Sequence, residues 1–278
     1  MQMSMKDITI TSLETIKAYE LNTGNYLFTL DELQNATIAQ SQEKTDITGK
    51  AGRKLSSLKR NKAVTVSGTN GFISGGLLEI QTGNKFNESG DTTIVWTDYV
   101  TMKKISDSEL GDAYTGTIEY KAEGETGSEI IGVWLHDENG GRGKMFTQSA
   151  VVGKDTFTYN PNTKTITFSM AATEIKDGLE VIVEYNRKVT GYTLDNISDN
   201  YSGKCTLVID ALGEDKCANI YRVQIKVFKA DFSGEFSLEM GGDQTVHAFE
   251  AEALAGACGA GGSFFSYTVF GEQENNAA

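Results

Sequence analysis

Residues able to perform catalysis or hold a metal ion are few and scattered in this chain. The two histidines, His136 and His247, have no other histidine or cysteine at ligand spacing, whereas a zinc site needs such a cluster. The cysteines Cys205, Cys217 and Cys258 form no C-x-x-C pair, and no G-x-S-x-G nucleophile motif is present. We therefore expect no enzyme, no cofactor and no metal, histidines with satisfied hydrogen bonds, and buried or partly buried thiols. The residues leave open whether Cys205 and Cys217 form a disulfide.

Two loops contain residue types that occur in ligand sites, but at unsuitable spacing. The segment 137–145 resembles a phosphate-binding loop, yet it lacks the first glycine of that motif and has Met145 where a magnesium ligand belongs. We interpret it as a hairpin turn. The segment 195–203 is rich in oxygen ligands whose spacing is not that of an EF-hand, so the pattern does not favour a calcium site.

The feature with the clearest chemical meaning is a cationic segment in an acidic protein. Residues 44–62 contain seven cations and one anion, a net charge of +6, whereas the rest of the chain has a net charge of −19. This division favours association between copies, with the positive segment of one subunit against the negative surface of the next. We predict a docking segment between subunits. Its residues are Lys50, Arg53, Lys54, Leu55, Leu58, Lys59 and Arg60.

Two other interpretations of this segment are open, namely nucleic-acid binding and a solvated loop. The net charge of −13 repels phosphates, and no aromatic residue lies among the cations of residues 44–62, so nucleic-acid binding is disfavoured. A solvated loop explains the charges but not Leu55 and Leu58. Their three-residue spacing lets both side chains bury against a partner, which favours docking.

The elements that must position the cationic segment are β-strands. Period-two alternation of apolar residues recurs along the chain, and 30 glycines accompany a single proline. Strands expected at 36–40 and 63–68 flank the cationic segment, so we predict a long loop over about 49–62 between two paired strands. One short helix is expected over 74–82, with Ser74 as N-cap and Gly83 as the stop.

The remaining strands follow the same alternation, and together they predict an all-β chain. They are expected at 15–21, 26–30, 92–100, 115–120, 130–135, 156–159, 164–168, 178–185, 204–210, 220–228, 234–240 and 263–270. The segment 244–254 fits strand or helix, and we favour strand. The segment 253–271 is uncharged, but its glycines and polar residues favour a turn and a strand over a membrane span.

The domain organisation is predicted as a discontinuous outer part around a central segment. Residues 1–102 and 191–278 form the two parts of one β-domain. Residues 103–190 form a β-rich insertion or second lobe, because their strands make a self-contained group and glycine and charge density rises at 106–112.

Several segments also resemble a known family. The residues Asn35-Ala-Thr-Ile, the stretch 45–71, the stretch 75–83 and the C-terminal segments 234–240 and 247–254 are similar to the major tail proteins, or tail tube proteins, of long-tailed bacteriophages and prophages of Gram-positive bacteria. The resemblance covers about residues 20–100 and 200–270.

This resemblance implies an antiparallel β-sandwich or half-barrel subunit with about one short helix. Six subunits form a ring, and stacked rings form a hollow tube for genome ejection, with a long loop reaching the neighbouring ring. The implied partners are the chain itself, tape-measure and other tail proteins, and viral DNA in transit without specific binding, with no membrane. The implied location is the virion tail, assembled in the bacterial host cytoplasm.

A second function class stays open beside this one. A β-sandwich that binds carbohydrates or surfaces needs an aromatic platform, for which Trp96, Trp134 and exposed tyrosines are the candidates.

Overall fold

The chain folds into two compact units, each built mainly of β-strands. A computed structural model describes residues 7–87, 90–107, 111–137, 140–239, 246–256 and 261–271. Unit 1 comprises residues 1–86 and 194–278, and unit 2 comprises residues 87–193.

The elements follow one another along the chain in this order. They are β1 (Ile8–Glu20), β2 (Tyr26–Leu30), β3 (Leu33–Thr48), a 3₁₀ turn (Lys50–Gly52), β4 (Lys54–Asn70), α1 (Gly75–Thr82), β5 (Asp91–Thr101), β6 (Lys103–Asp107), β7 (Gly111–Thr117), β8 (Ile130–His136), β9 (Arg142–Gln148), β10 (Thr156–Asn160), β11 (Thr165–Ser169), β12 (Glu180–Thr190), β13 (Lys204–Asp215), β14 (Ile220–Phe232), β15 (Leu238–Glu239), β16 (Val246–Ala253) and β17 (Phe265–Phe270).

Unit 1 is one large antiparallel sheet with its core on one face. The strand order is β2-β1-β13-β14-β16-β4-β3, with β17 paired to β14 and β15 to β16. Alternate residues of the strands point into the core, as Val64 and Val66 do in β4. The buried cluster also contains Ile16, Leu207 and Phe249.

The helix α1 covers this core, as its local sequence predicts. The Ser74 hydroxyl accepts a hydrogen bond from the Leu77 amide, and Gly83 ends the helix in the left-handed conformation at φ 71°. Leu77 is fully buried in the core of unit 1. Glycine is required at position 76 because a Cβ there would lie 2.5 Å from the Cβ of Phe28.

Unit 2 is a second sheet that curls on itself. Its order is β5-β12-β8-β9-β10-β11-β7-β6, antiparallel except between β9 and β10. The two strands at the ends of this path, β5 and β6, follow one another in the chain and are separated only by Met102. The sheet must therefore bring its two ends together, which produces a half-barrel around a core that includes Met102, Phe146 and Phe168.

The all-β class with one short helix is confirmed, and the segment of uncertain type, 244–254, contains the strand β16. The central unit begins earlier than the predicted residue 103. The reason is that β5 pairs with β12 from Asp91 to Thr101, which places it in the sheet of unit 2.

Candidate functional site

The cationic segment is a projecting two-stranded ribbon, and the predicted long loop over 49–62 is wrong. The strand β3 continues to Thr48 and β4 begins at Lys54, so only residues 49–53 connect them. The Gly49 amide donates to the Arg53 carbonyl at 2.7 Å, which closes the turn. We call residues 41–62 the cationic arm. All of them are exposed except Gly49, whose exposure is intermediate, and Ser57.

The connection makes a tight turn in which two successive residues have left-handed backbone conformations. Ala51 has φ 62° and Gly52 has φ 73°. The side chain of Leu55 folds over Gly49, since a Cβ at position 49 would lie 2.8 Å from the Leu55 Cδ1. A bulge then interrupts the ladder at Asn61, which has φ 53° and donates from Nδ2 to the Glu43 Oε2 at 2.7 Å.

The charges of the cationic arm are mostly uncompensated. Asp46 accepts Lys54 at 2.8 Å and lies 3.9 Å from Lys44. The Asp46 carboxylate raises the pKa of Lys54, and the neighbouring Lys54 ammonium lowers the pKa of Lys44. The other arm cations predicted to dock make no ion pair within the described part of the chain. They are Lys50, Arg53, Lys59 and Arg60.

The two leucines of the predicted docking set are exposed, but they do not form one apolar pair. Leu55 is 66% exposed and Leu58 is 49% exposed. Residues three apart in a strand point to opposite faces, so their spacing separates them. Leu58 lies opposite Thr45 in the ladder and therefore shares a face with Ile47, which is 50% exposed. Sequence reasoning missed Ile47 because the segment was read as a loop.

The histidine His247 is fully buried, and its hydrogen bonds join α1 to β16. Its Nδ1 accepts from the Ser74 amide at 3.2 Å, so Nε2 bears the proton and donates to the Gln81 Oε1 at 2.8 Å. Gln81 in turn donates to the Ala248 carbonyl at 3.1 Å. Burial lowers the pKa of His247, and protonation would place a second donor against the Ser74 amide. This histidine is structural, as expected from the sequence.

The burial of His247 makes unit 1 sensitive to mild acid. Its pKa is lower in the folded state than the unfolded value of 6.5, so the unfolded chain takes up the proton first as pH falls. The contribution of neutral His247 to stability should be complete well above pH 6.5 and should be lost progressively as pH falls below 6.5. Urea unfolding followed by circular dichroism measures this. His247→Gln should reduce the dependence of the free energy of unfolding on pH in this range. An unchanged dependence in that variant would show that other groups cause the loss of stability.

The other candidate residues are divided between the two units, with His136 in unit 2 and Cys205 and Cys217 in unit 1. His136 bonds Glu180 at 2.7 Å. Cys205 and Cys217 are free thiols, the first buried with its pKa raised by burial to about 12 and the second exposed, and Cys258 lies outside the described residues. Among the described residues, no three His, Cys, Asp or Glu side chains are grouped so that they could hold a metal ion. The described residues of the segment 137–145, which are 137 and 140–145, belong to the β8–β9 hairpin, as predicted.

The two tryptophans of the predicted aromatic platform each lie against an arginine of their own chain. The Arg187 guanidinium lies 3.9 Å from the Trp96 ring centre and 3.8 Å from that of Tyr120. The Arg142 guanidinium lies 4.5 Å from the ring centre of Trp134. Each indole therefore has one face covered by a cation of its own chain.

A comparison with models of protein families identifies the family of the chain. The model of the YomU/Tube protein family matches residues 8–264, nearly the whole chain. The chain belongs to this family. A search of curated proteins gave no match. The resemblance of the sequence to tail tube proteins is confirmed, and membership of the tube family indicates a structural role in a phage tail.

The match of the tube family includes both strands of the cationic arm and all of unit 2. In the part of the chain that the structure describes, no helix is long and apolar enough to cross a membrane.

Proposed function

We propose that this chain is the subunit of a bacteriophage tail tube and assembles into stacked homo-hexameric rings. The observation on which this rests is the cationic arm. An exposed ribbon that bears unpaired cations and exposed apolar side chains is typical of a surface that contacts another protein chain. From Ser41 to Thr48 the arm extends by about 23 Å at ~3.3 Å per residue, and every residue of this stretch is exposed. In the proposed tube this exposed length reaches the next ring. Membership of the tube family supports the same role.

Ring closure uses the open edges of the unit 1 sheet in this proposal. The path of that sheet ends at β2 on one side and at β3 on the other. Unpaired strand edges template pairing with another chain, and pairing around a closed ring removes them. Head-to-tail contacts that close give a ring, while contacts along the axis give a filament.

The lumen of the tube is acidic in this proposal. The residues outside 44–62 have a net charge of −19, and an acidic wall repels DNA phosphates. Viral DNA then passes during ejection without specific binding. The further partners are the tape-measure protein and other tail proteins, and assembly takes place in the host cytoplasm.

Electron microscopy of the concentrated purified protein tests the proposal. We expect hollow tubes with six-fold symmetric rings in negative stain, and a corresponding fast-sedimenting species. A density map of the tube at side-chain resolution then shows which residues line the lumen, and their charges give its sign. Protein that stays monomeric at high concentration would refute the tube assembly, and a neutral or positive lumen would refute the acidic channel alone.

A further inference from the structure

The two ends of the β3–β4 ribbon differ in chemistry, and this difference suggests how the subunits stack. The ribbon runs from the pair Leu33–Asn70 to the turn at residues 49–53. The 16 residues of β3 span about 50 Å at ~3.3 Å each. The turn end is the cationic arm. The opposite end is flanked by two acids and two apolar residues, and we call it the base patch. Its members are Asp31, Glu32, Phe72 and Ile73.

The base patch is held in place by hydrogen bonds of unit 1. The Gly71 amide donates to the Glu32 carbonyl at 2.7 Å, and the Asn70 Nδ2 donates to the Phe72 carbonyl at 2.7 Å. The Ser74 amide is bonded to the buried His247, so the chain is fixed on the C-terminal side as well. The base patch is therefore an ordered surface that does not need folding upon contact.

The side chains of the base patch are available for a partner. Phe72 is 64% exposed and Ile73 is 42% exposed. Asp31 and Glu32 are exposed, and neither makes an ion pair within the described residues. Exposed apolar side chains bordered by charges are typical of protein interfaces.

We propose that the base patch receives the cationic arm of a second copy of this chain. Its apolar residues complement the face that bears Ile47 and Leu58. Its two carboxylates complement Arg60, which lies on that same face, and the neighbouring Lys59, whose side chain leaves from the opposite face of the ribbon. Because the arm and the base patch lie at opposite ends of one ribbon, each copy can offer its arm to one neighbour and its base patch to another. Such a heterologous contact repeats along an axis without closing. The proposal rests on the proposed tube assembly and names the receiving surface within it.

Charge reversal at each end, alone and combined, tests the contact. The base variant has Asp31→Lys and Glu32→Lys, and the arm variant has Lys59→Glu and Arg60→Glu. Each alone should reduce sedimentable tubes by about tenfold or more, because like charges then face each other. The chain with all four changes should recover tubes, since the charges are complementary again. Glu119→Lys with Glu125→Lys, two exposed acids of unit 2, is the matched control and should keep its tubes.

The outcomes separate this contact from the tube assembly itself. If the base variant stacks normally while the arm variant does not, the arm docks elsewhere and the inference is overturned, but the tube stands. Failure of the four-fold variant to recover also overturns it. Wild-type protein without tubes would instead remove the proposed function.

A crosslink keeps the test decisive if a charge variant misfolds. Leu58→Cys and Phe72→Cys are introduced together into a chain with Cys217→Ser and Cys258→Ser, which leaves the buried Cys205 as the one native thiol. The two positions are too far apart along the ribbon to join within one chain. Oxidised tubes should yield covalent multimers in denaturing gels, and the chains with only one of the two introduced cysteines should not. Absence of multimers from intact tubes would overturn the contact.

Discussion

A chain with Lys50, Arg53, Lys59 and Arg60 all changed to Glu should fold normally and form no tubes. These four cations make no ion pair within the described part of their own chain, so their replacement breaks no intramolecular bond there. Lys54 is left unchanged because it bonds Asp46 at 2.8 Å. Reversal turns a steering attraction between subunits into repulsion and should abolish sedimentable tubes. Circular dichroism checks the fold, and sedimentation with electron microscopy checks assembly.

The control for this reversal changes the same number of charges in unit 2. It replaces four exposed lysines, Lys103, Lys121, Lys154 and Lys176, with Glu. If net charge alone governed assembly, both chains would lose their tubes equally. We expect the control to assemble, and normal tubes from the arm-reversed chain would contradict the assignment of the arm as the docking segment.

Elements with strong local signals could be predicted from the sequence. The helix α1 follows from Ser74 as an N-cap and Gly83 as a left-handed stop, because both act through the nearest turn of backbone. The strand β2 was predicted over 26–30 and has those bounds. Strands with one buried face show period-two alternation, and β16 kept this pattern strongly enough to be preferred over a helix.

The strands of the cationic arm could not be predicted, because apolar alternation appears only in strands that have one buried face. Both faces of the arm lie in solvent, so no apolar alternation marks β3 beyond Gln40 or β4 before Ala63. Its structure comes from cross-strand pairing, which a single segment of sequence does not report. The available signal was the close pair Gly49 and Gly52, which bounds a short turn. The base patch was also missed, because its parts are separated by the whole ribbon and meet only when the strands pair.

Removal of unit 2 should leave a chain that folds and still forms tubes. The chain enters and leaves this unit at neighbouring residues, since the Asn87 amide donates to the Thr193 carbonyl at 2.8 Å. A short Gly-Gly link from Phe86 to Leu194 therefore spans the gap. Phe86 is itself fixed in unit 1, where its amide donates to the Glu79 Oε1 at 2.9 Å.

The expected result of this excision follows from the separation of the two cores. Each unit has its own buried cluster, and the cationic arm and the base patch both belong to unit 1. The shortened chain should unfold cooperatively and sediment as tubes, while residues 87–193 alone should fold as a monomer. A shortened chain that folds but stays monomeric would show that unit 2 supplies assembly contacts. One that fails to fold would show that the core of unit 1 depends on unit 2, although none of the described core residues of unit 1 lies within 87–193.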